Sequence, residues 1–389
     1  MPAPSSPTVH LAVALDGAGW HPAAWREPGA GADRLFSAAH WAAQVAEAES
    51  GLLDFVTFED SLALQSTDPA EPDGRTDQVR GRLDAVLTAA RVAPLTRHIG
   101  LVPSVSATHT EPFHVSKAVA TLDYVSAGRA GLRVQISERP DEARHFGRRT
   151  DIGTTAGLYA EAADHIEVVR RLWDSWEDDA EIRDAATGRF VDRAKLHPVD
   201  FEGRHFSVRG PSITPRPPQG QPLVTALASD PAALPLLAHG ADLGYLTPRD
   251  ADQARSAVAA VRAAREEAGR AAEPLHLFGD VVVFLDEAPV VAERRLQRLD
   301  AAHGSAYTSD AHVFTGTPEQ LADLLLEWRR AGLSGFRLRP GVAAHDLPAI
   351  TRGLAPELRR RGLLRRAYEA SSLRGLLGLP RPANRYAAA

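Results

Sequence analysis

The chain has 389 residues, 44% of them hydrophobic and 24% charged, so it can bury a large core and global disorder is excluded. A formal net charge of −6 argues against a general nucleic-acid binder, which needs a basic face to neutralise phosphates. The absence of cysteine excludes disulfides, thiolate metal sites and a cysteine nucleophile. The opening MPAPSSPTVH has no basic n-region, and no run approaches about 18 uninterrupted apolar residues, so neither a signal peptide nor a membrane span is expected. A cytoplasmic location is the expectation. No HxH, HExxH or carboxylate–histidine cluster has metal-site spacing, so no metal is expected.

In chain order, β-type runs alternate with helical ones, the pattern of βα units around a parallel sheet. The predicted strands are Val9–Leu15, Asp54–Glu59, Ile99–Pro103, Ala130–Ile136, Leu223–Leu227, Leu243–Leu246, Leu277–Leu285 and Gly335–Leu338. The predicted helices are Asp33–Ser50, Asp77–Ala93, Pro112–Ser126, Thr155–Trp176, Pro231–His239, Ala251–Gly269, Ala288–Asp300 and Pro318–Ala331, with a ninth over Asp346–Arg361. Eight strand–helix pairs predict an α/β fold, a (β/α)8 TIM barrel forming one domain over 1–389, with its active site on the loops after the strands. No GxGxxG follows the first strand, which argues against a doubly wound sheet. Three loops, Asp60–Thr76, Ser137–Thr154 and Ala301–Thr315, are long enough to be functional. An insertion, 177–221, separates helix four from strand five and should lie opposite or lateral to the mouth. A tail, 363–389, ends in the loosely patterned Arg381–Ala389.

The stretch YAEAADHIEVVRRLWDSWEDDA from Tyr159, followed by HPVDFEGRHFSVRGPSITPRPPQGQP up to Pro222, is the most distinctive in the chain. With HPAAWREPGA at His21, LLDFVTFEDSLAL at Leu52, RHIGLVPSVSATHTEPFHVSKAVATLDYVSAGRAGLRV at Arg97, EARHFGRR at Glu142 and YEASSLRGLLGLPRPANRY at Tyr368, it resembles the bacterial luciferase-like flavin-dependent monooxygenases, in the nitrilotriacetate monooxygenase branch. The resemblance covers nearly the whole chain. It implies a barrel, an FMN site and oxygen chemistry.

Asp60 ends the strand FVTFED, at the end of a barrel strand where ligand-binding residues belong. The resemblance places its counterpart close to the flavin ring; a loop cap at Ser61 is the alternative. Ser104, Ser106 and Thr108 either bond the flavin edge, as the family's Ser/Thr cluster does, or cap the helix that begins at Glu111-Pro112. Tyr159 opens helix four, where the family's tyrosine contacts the FMN phosphate or ribityl chain, although a buried structural tyrosine is common. A family histidine about four residues earlier is replaced near Thr155. Ser229 and Asp230 follow strand five, where relatives hold the phosphate with a Gly-Ser-Ser type sequence at a helix N-terminus.

Asp230 before Pro231 is an N-cap in its own right. Its carboxylate would oppose a phosphate, since like charges roughly 4 Å apart cost about 4 kcal/mol at an effective dielectric of about 20. Arg133 in GLRVQIS and Arg337 in GFRLRP stand where the family shows Asn. A buried unpaired arginine is costly, so Arg133 is expected to meet Asp60, Asp230 or a ligand phosphate. His21, His109, His114 and His145 lie near the predicted mouth and are catalytic candidates, able to steady a peroxide oxygen or act as general base. Surface or core histidine is the plainer reading of each.

The resemblance implies a two-component monooxygenase. A separate NAD(P)H:flavin reductase would supply reduced FMN, weakly bound here because of the changes at Asp230, Thr155 and Arg133, and O2 would oxidise a small organic substrate. A homodimer paired through barrel helices is implied as well. The rivals are a degenerate barrel with little or no FMN binding, a barrel using a deazaflavin, and a non-catalytic dimer partner.

Overall fold

The computed structural model describes residues 9–66, 68 and 72–387. Eight parallel strands run in chain order: β1 His10–Leu15, β2 Phe55–Phe58, β3 Gly100–Ser106, β4 Gly131–Gln135, β5 Leu223–Leu227, β6 Leu243–Leu246, β7 His276–Leu285 and β8 Gly335–Pro340. Each pairs with the next, and β8 closes on β1 through His10↔Gly335 to Val13↔Leu338. The fold is therefore a closed (β/α)8 TIM barrel, as the alternation predicts. Among the described residues one further strand, His312–Gly316, joins the outer edge of β7 in parallel. It lies where a loop was expected.

Because strand side chains alternate between faces, the barrel interior is layered. A floor of Phe55, Val102, Leu223, Leu243 and Phe278 is sealed by Leu373, Leu377 and Leu379 of the C-terminal segment. Outward residues such as Val13, Val56, Leu132 and Leu338 pack against the helices in the large core. The helices that bear on the site are α1 Ala38–Ser50, α2 Ala85–Val92, α3 Pro112–Val125, α4 Pro140–Phe146 and α5 Thr155–Asp174.

Two of these helices start later than expected. Ser37 caps α1 through His40 N, and the left-handed Gly31 (φ +66°) breaks the chain before it. Asp84 caps α2 through Leu87 N, while residues 77–84 stay irregular: Gly81 is left-handed (φ +96°), Arg75 bonds Asp77 and Arg82 bonds Asp16. Helix α4 occupies the expected loop at Ser137–Thr154. Residues 181–208 form two small antiparallel hairpins, and Val199, Phe201, Phe206 and Val208 cover Val168 and Leu172 on the outer face of α5. The tail through residue 387 is pinned rather than loose: Arg381 pairs with Asp178 and Arg385 with Glu167, and Asn384 donates to the Asp174 and Trp176 carbonyls.

The loop after β1 is docked on the end of β8 by main-chain bonds, Trp20 N to Pro340 O at 2.9 Å and His21 N to Gly341 O at 3.0 Å. Gly19 permits this approach: its φ is +135°, and a Cβ there would stand 2.5 Å from the Gly341 carbonyl oxygen. Gly19→Ala is therefore expected to destabilise the fold by about 2 kcal/mol or more in urea denaturation. Gly17→Ala, at φ +53° with open space around it, should cost only roughly 1 kcal/mol.

Candidate active site

Above the apolar floor the barrel interior turns charged. Arg133 on β4 donates to Glu59 Oε2 (3.0 Å), Ser104 Oγ (3.0 Å) and Gln135 Oε1 (2.9 Å). Arg337 on β8 donates to Glu59 Oε1 (2.9 Å) and to Asp280 of β7 through Nε (2.9 Å). Arg339 also bonds Asp280 (3.0 Å) and reaches Asp310 (2.6 Å). Arginines 337 and 339 lie 4.2 and 4.5 Å from the Tyr245 and Trp20 ring centroids. Three guanidinium groups thus face three carboxylates. Burial alone would raise the Glu59 carboxyl, but the three arginines outweigh it and hold it at about 2. Arg133 therefore meets neither Asp60 nor Asp230, and its partner Glu59 was not among the expected site residues.

Asp60, next along β2, turns away from this network. Its Oδ1 accepts from Ser61 N and its Oδ2 from Ala85 N at the start of α2, both at 2.8 Å. Burial raises its carboxyl to about 6 despite those donors. Its carbonyl oxygen accepts from Gln135 Nε2 (2.8 Å). Asp60, Ser104, Ser106 and Gln135 line one cavity of about 210 Å3 over the ends of β2 to β4. Ser104 is spoken for by Arg133. The buried Ser106 hydroxyl has no partner. The rim is held by Glu142 of α4, whose Oε1 accepts from Ser61 Oγ (2.6 Å) and Leu62 N (2.9 Å).

Tyr159, Ser229 and Asp230 come together a strand further on. Ser229 bonds the Tyr159 hydroxyl; burial raises that phenol, and the charges of Asp230 and Glu138 add to the shift. Asp230 caps the short helical turn Pro231–Ala233, its Oδ1 accepting from Ala232 N at 2.7 Å. Thr155 bonds Glu138.

The histidines do not converge. His21 is buried with both ring nitrogens engaged: Nδ1 accepts from Ala23 N (3.0 Å) and Nε2 faces Asp300 Oδ1 (3.1 Å). Burial depresses its protonation. His21 also lines the cavity on the β1 side of Glu59. His109 stacks on Phe146 at 5.1 Å, in a separate lateral cavity with Arg149 and Glu161. His145 is exposed on the last turn of α4. His114 reaches the groove with Ser106. No cluster of three or more metal-ligating side chains occurs, and no helix is long and apolar enough to cross a membrane, among the described residues.

A second cavity, on the β1 side of Glu59, is lined by Trp20, Trp25, Trp41, Gln78 and Arg82 among others. His21, an expected site residue, also lines it; the tryptophans, Gln78 and Arg82 were not expected there. The two-residue alternation of FVTFED, which sends Thr57 and Glu59 inward and Asp60 outward, was the available signal for Glu59.

Arg133→Asn should remove one of the two cations on the buried Glu59 carboxylate, leaving Arg337, and cost about 1.5–3 kcal/mol in chemical denaturation. Asp60 has a folded-state value above its unfolded one, so the native chain binds the extra proton between about pH 4 and 6, and stability falls as pH rises through that window. Measured against the parent, Asp60→Asn should therefore gain on the order of 1–2 kcal/mol on going from pH 4 to pH 7, allowing for solvent screening. A flat difference would show that Asp60 titrates as an ordinary carboxylate.

The chain matches the model of the luciferase-like monooxygenases over residues 17–335. It is 29% identical to N-acetyl-S-(2-succino)cysteine monooxygenase of Bacillus subtilis (strain 168), covering 97% of this chain and 98% of that protein. It is 29% identical to nitrilotriacetate monooxygenase component A of Aminobacter aminovorans, covering 97% of each. Among solved structures, a long-chain alkane monooxygenase superposes with a TM-score of 0.86 at 23% identity over 96% of each chain. A riboflavin lyase holding modified FMN and riboflavin gives 0.85 at 23% identity over 97% of each. With eight closed βα units and a match to most of its length, the chain belongs to the luciferase-like monooxygenase family and is a flavin-dependent oxidoreductase.

Proposed function

We propose that this chain is the oxygenase component of a two-component system, taking reduced FMN from a separate NAD(P)H:flavin reductase and using O2 to oxidise a small organic substrate. The observation that carries the reading is the groove over β2 to β4, where the unpartnered Ser106 hydroxyl, Ser104, Gln135 and Asp60 present hydrogen-bonding groups at the C-terminal mouth. A hydroxyl can both donate and accept, so it suits the mixed edge of a flavin ring. When bound, the flavin supplies the redox chemistry with oxygen. The chain's own residues orient it and exclude water. Asp60, with its carboxyl near 6, is one group in that groove able to hold or release a proton at working pH.

The opposite end suits a phosphate less well. Tyr159 and Ser229 offer hydroxyls, but Asp230 already occupies the Ala232 amide, and Glu138 adds a second negative charge. FMN is accordingly held weakly, as a passing reagent rather than a resident group. The same two carboxylates favour the second reading, a barrel that has lost flavin and serves as a non-catalytic partner or takes another ligand. Exposed Leu87 on α2 and Leu95 just beyond it are in keeping with a homodimer paired through barrel helices, in the cytoplasm. Light scattering at micromolar concentration tests the dimer, and a monomer mass would reject it.

Titration with oxidised and with anaerobically reduced FMN tests the flavin reading. The purified protein should be colourless, oxidised FMN should bind weakly, and reduced FMN should bind measurably. Stoichiometric yellow flavin on purification would contradict weak binding, and no binding of either form would favour the second reading. Asp230→Ser should tighten FMN at least tenfold, about 1.4 kcal/mol. Because serine also caps, stability should change by less than roughly 1 kcal/mol. Unchanged affinity would mean that the phosphate does not sit at Asp230.

A further inference from the structure

The cavity on the β1 side of the mouth measures about 180 Å3, small beside the roughly 300–1,000 Å3 of drug-sized sites. Trp20, Trp25, Phe36 and Trp41 supply its aromatic walls, and the indole nitrogens are already used. Trp20 donates to Ala14 O (3.2 Å), Trp25 to Asp77 O (3.2 Å) and Trp41 to Leu35 O (3.1 Å). The tryptophans can therefore offer only apolar surface. Two lining groups are buried donors with no partner, Gln78 Nε2 and Arg82 Nε. A guanidinium Nε–H can only donate, so what it lacks is an acceptor, and a donor left buried without one is costly. The remaining charge of Arg82 is spent on Asp16, 2.9 Å from its Nη1. Its other charged walls are the carboxylates of Asp16 and Glu59, and both ring nitrogens of His21, which also lines it, are engaged, so the cavity offers no spare positive charge.

We infer that this cavity is the substrate pocket, and that it takes a compact, uncharged molecule of one or two rings bearing a single hydrogen-bond acceptor directed at Arg82 and Gln78. A polycarboxylate such as nitrilotriacetate, named in one relative above, does not suit it. That molecule would need several cations, and here the one guanidinium is already paired. The cavity meets the groove at consecutive residues, Glu59 lining one and Asp60 the other. The inference rests on the proposed flavin chemistry for the reaction that follows. The binding itself is independent of flavin, so the two readings can fail separately.

The test is calorimetry on flavin-free protein with three probes: indanone, a bicyclic ketone; indane, the same skeleton without the carbonyl; and nitrilotriacetate. Indanone should bind at least tenfold more tightly than indane, and nitrilotriacetate should give no binding heat at the same concentrations. Gln78→Leu should weaken indanone at least fivefold and leave indane unchanged. Should that variant not fold, the indanone-to-indane ratio on the parent protein decides. Equal binding of indanone and indane, no binding of either, tighter binding of nitrilotriacetate, or an indanone affinity indifferent to Gln78→Leu would each overturn the inference.

Discussion

The barrel depends on a neutral knot of charge at its centre. Glu59, Asp280 and Asp310 answer Arg133, Arg337 and Arg339, and each of these carboxylates except Asp310 bridges two guanidiniums. Such pairs add little net stability compared with well-packed apolar residues, but removing one member leaves a charge that has already lost its water. The knot also joins parts far apart in sequence. It ties β2 to β4, β7 and β8, and through Asp310 it fixes the segment after helix Pro289–His303. Through the stacking of Arg339 on Trp20 it sets one wall of the aromatic cavity. The mouth is therefore shaped from below.

The knot also divides the labour between two neighbouring carboxyl groups. Glu59 sits among three cations and stays ionised, so it cannot serve as a proton donor at any ordinary pH. Asp60, one residue on, faces the other way, is partly desolvated and has no guanidinium bonded to it; its carboxyl lies near 6. Two adjacent acids on one strand end thus acquire opposite duties from environment alone, the arrangement by which a single site can hold a fixed charge and a movable proton.

Much of this was legible in the sequence. The eight strands follow from alternation and run length, and their order around the ring is the order of the chain. Asp60, Ser104 and Ser106 are candidates because they stand at strand ends, and the structure brings them to one cavity. Tyr159, Ser229 and Asp230 likewise meet, with Asp230 as the cap that its position before Pro231 implied. The histidines were not legible. Whether His21 is a catalyst or a strut depends on Asp300, 279 residues away, and no local pattern carries that information. Arg133 was rightly expected to need a partner, but choosing Glu59 over Asp60 required knowing which of two consecutive carboxylates faces inward. The irregular run before α2 departs from its helical pattern for a related reason. Its helical spacing is overridden by the Arg82–Asp16 pair, a contact made only once β1 and β2 lie side by side.

Polarity is distributed unevenly along the mouth, and the asymmetry has a chemical sense. At the β5 end, Asp230 and Glu138 place negative charge where a flavin phosphate would sit. At the β1 end, tryptophans and two unsatisfied donors present a dry, selective wall. On the proposed reading, affinity would be withheld from the flavin phosphate and offered instead to the molecule to be oxidised. In a two-component system of that kind, a weak hold on the phosphate would keep flavin exchange fast. On the same reading, binding in the aromatic cavity would position the substrate at the strand ends. The charged knot makes both possible, since it lets one barrel carry a negative rim and an aromatic pocket without leaving any buried charge unanswered.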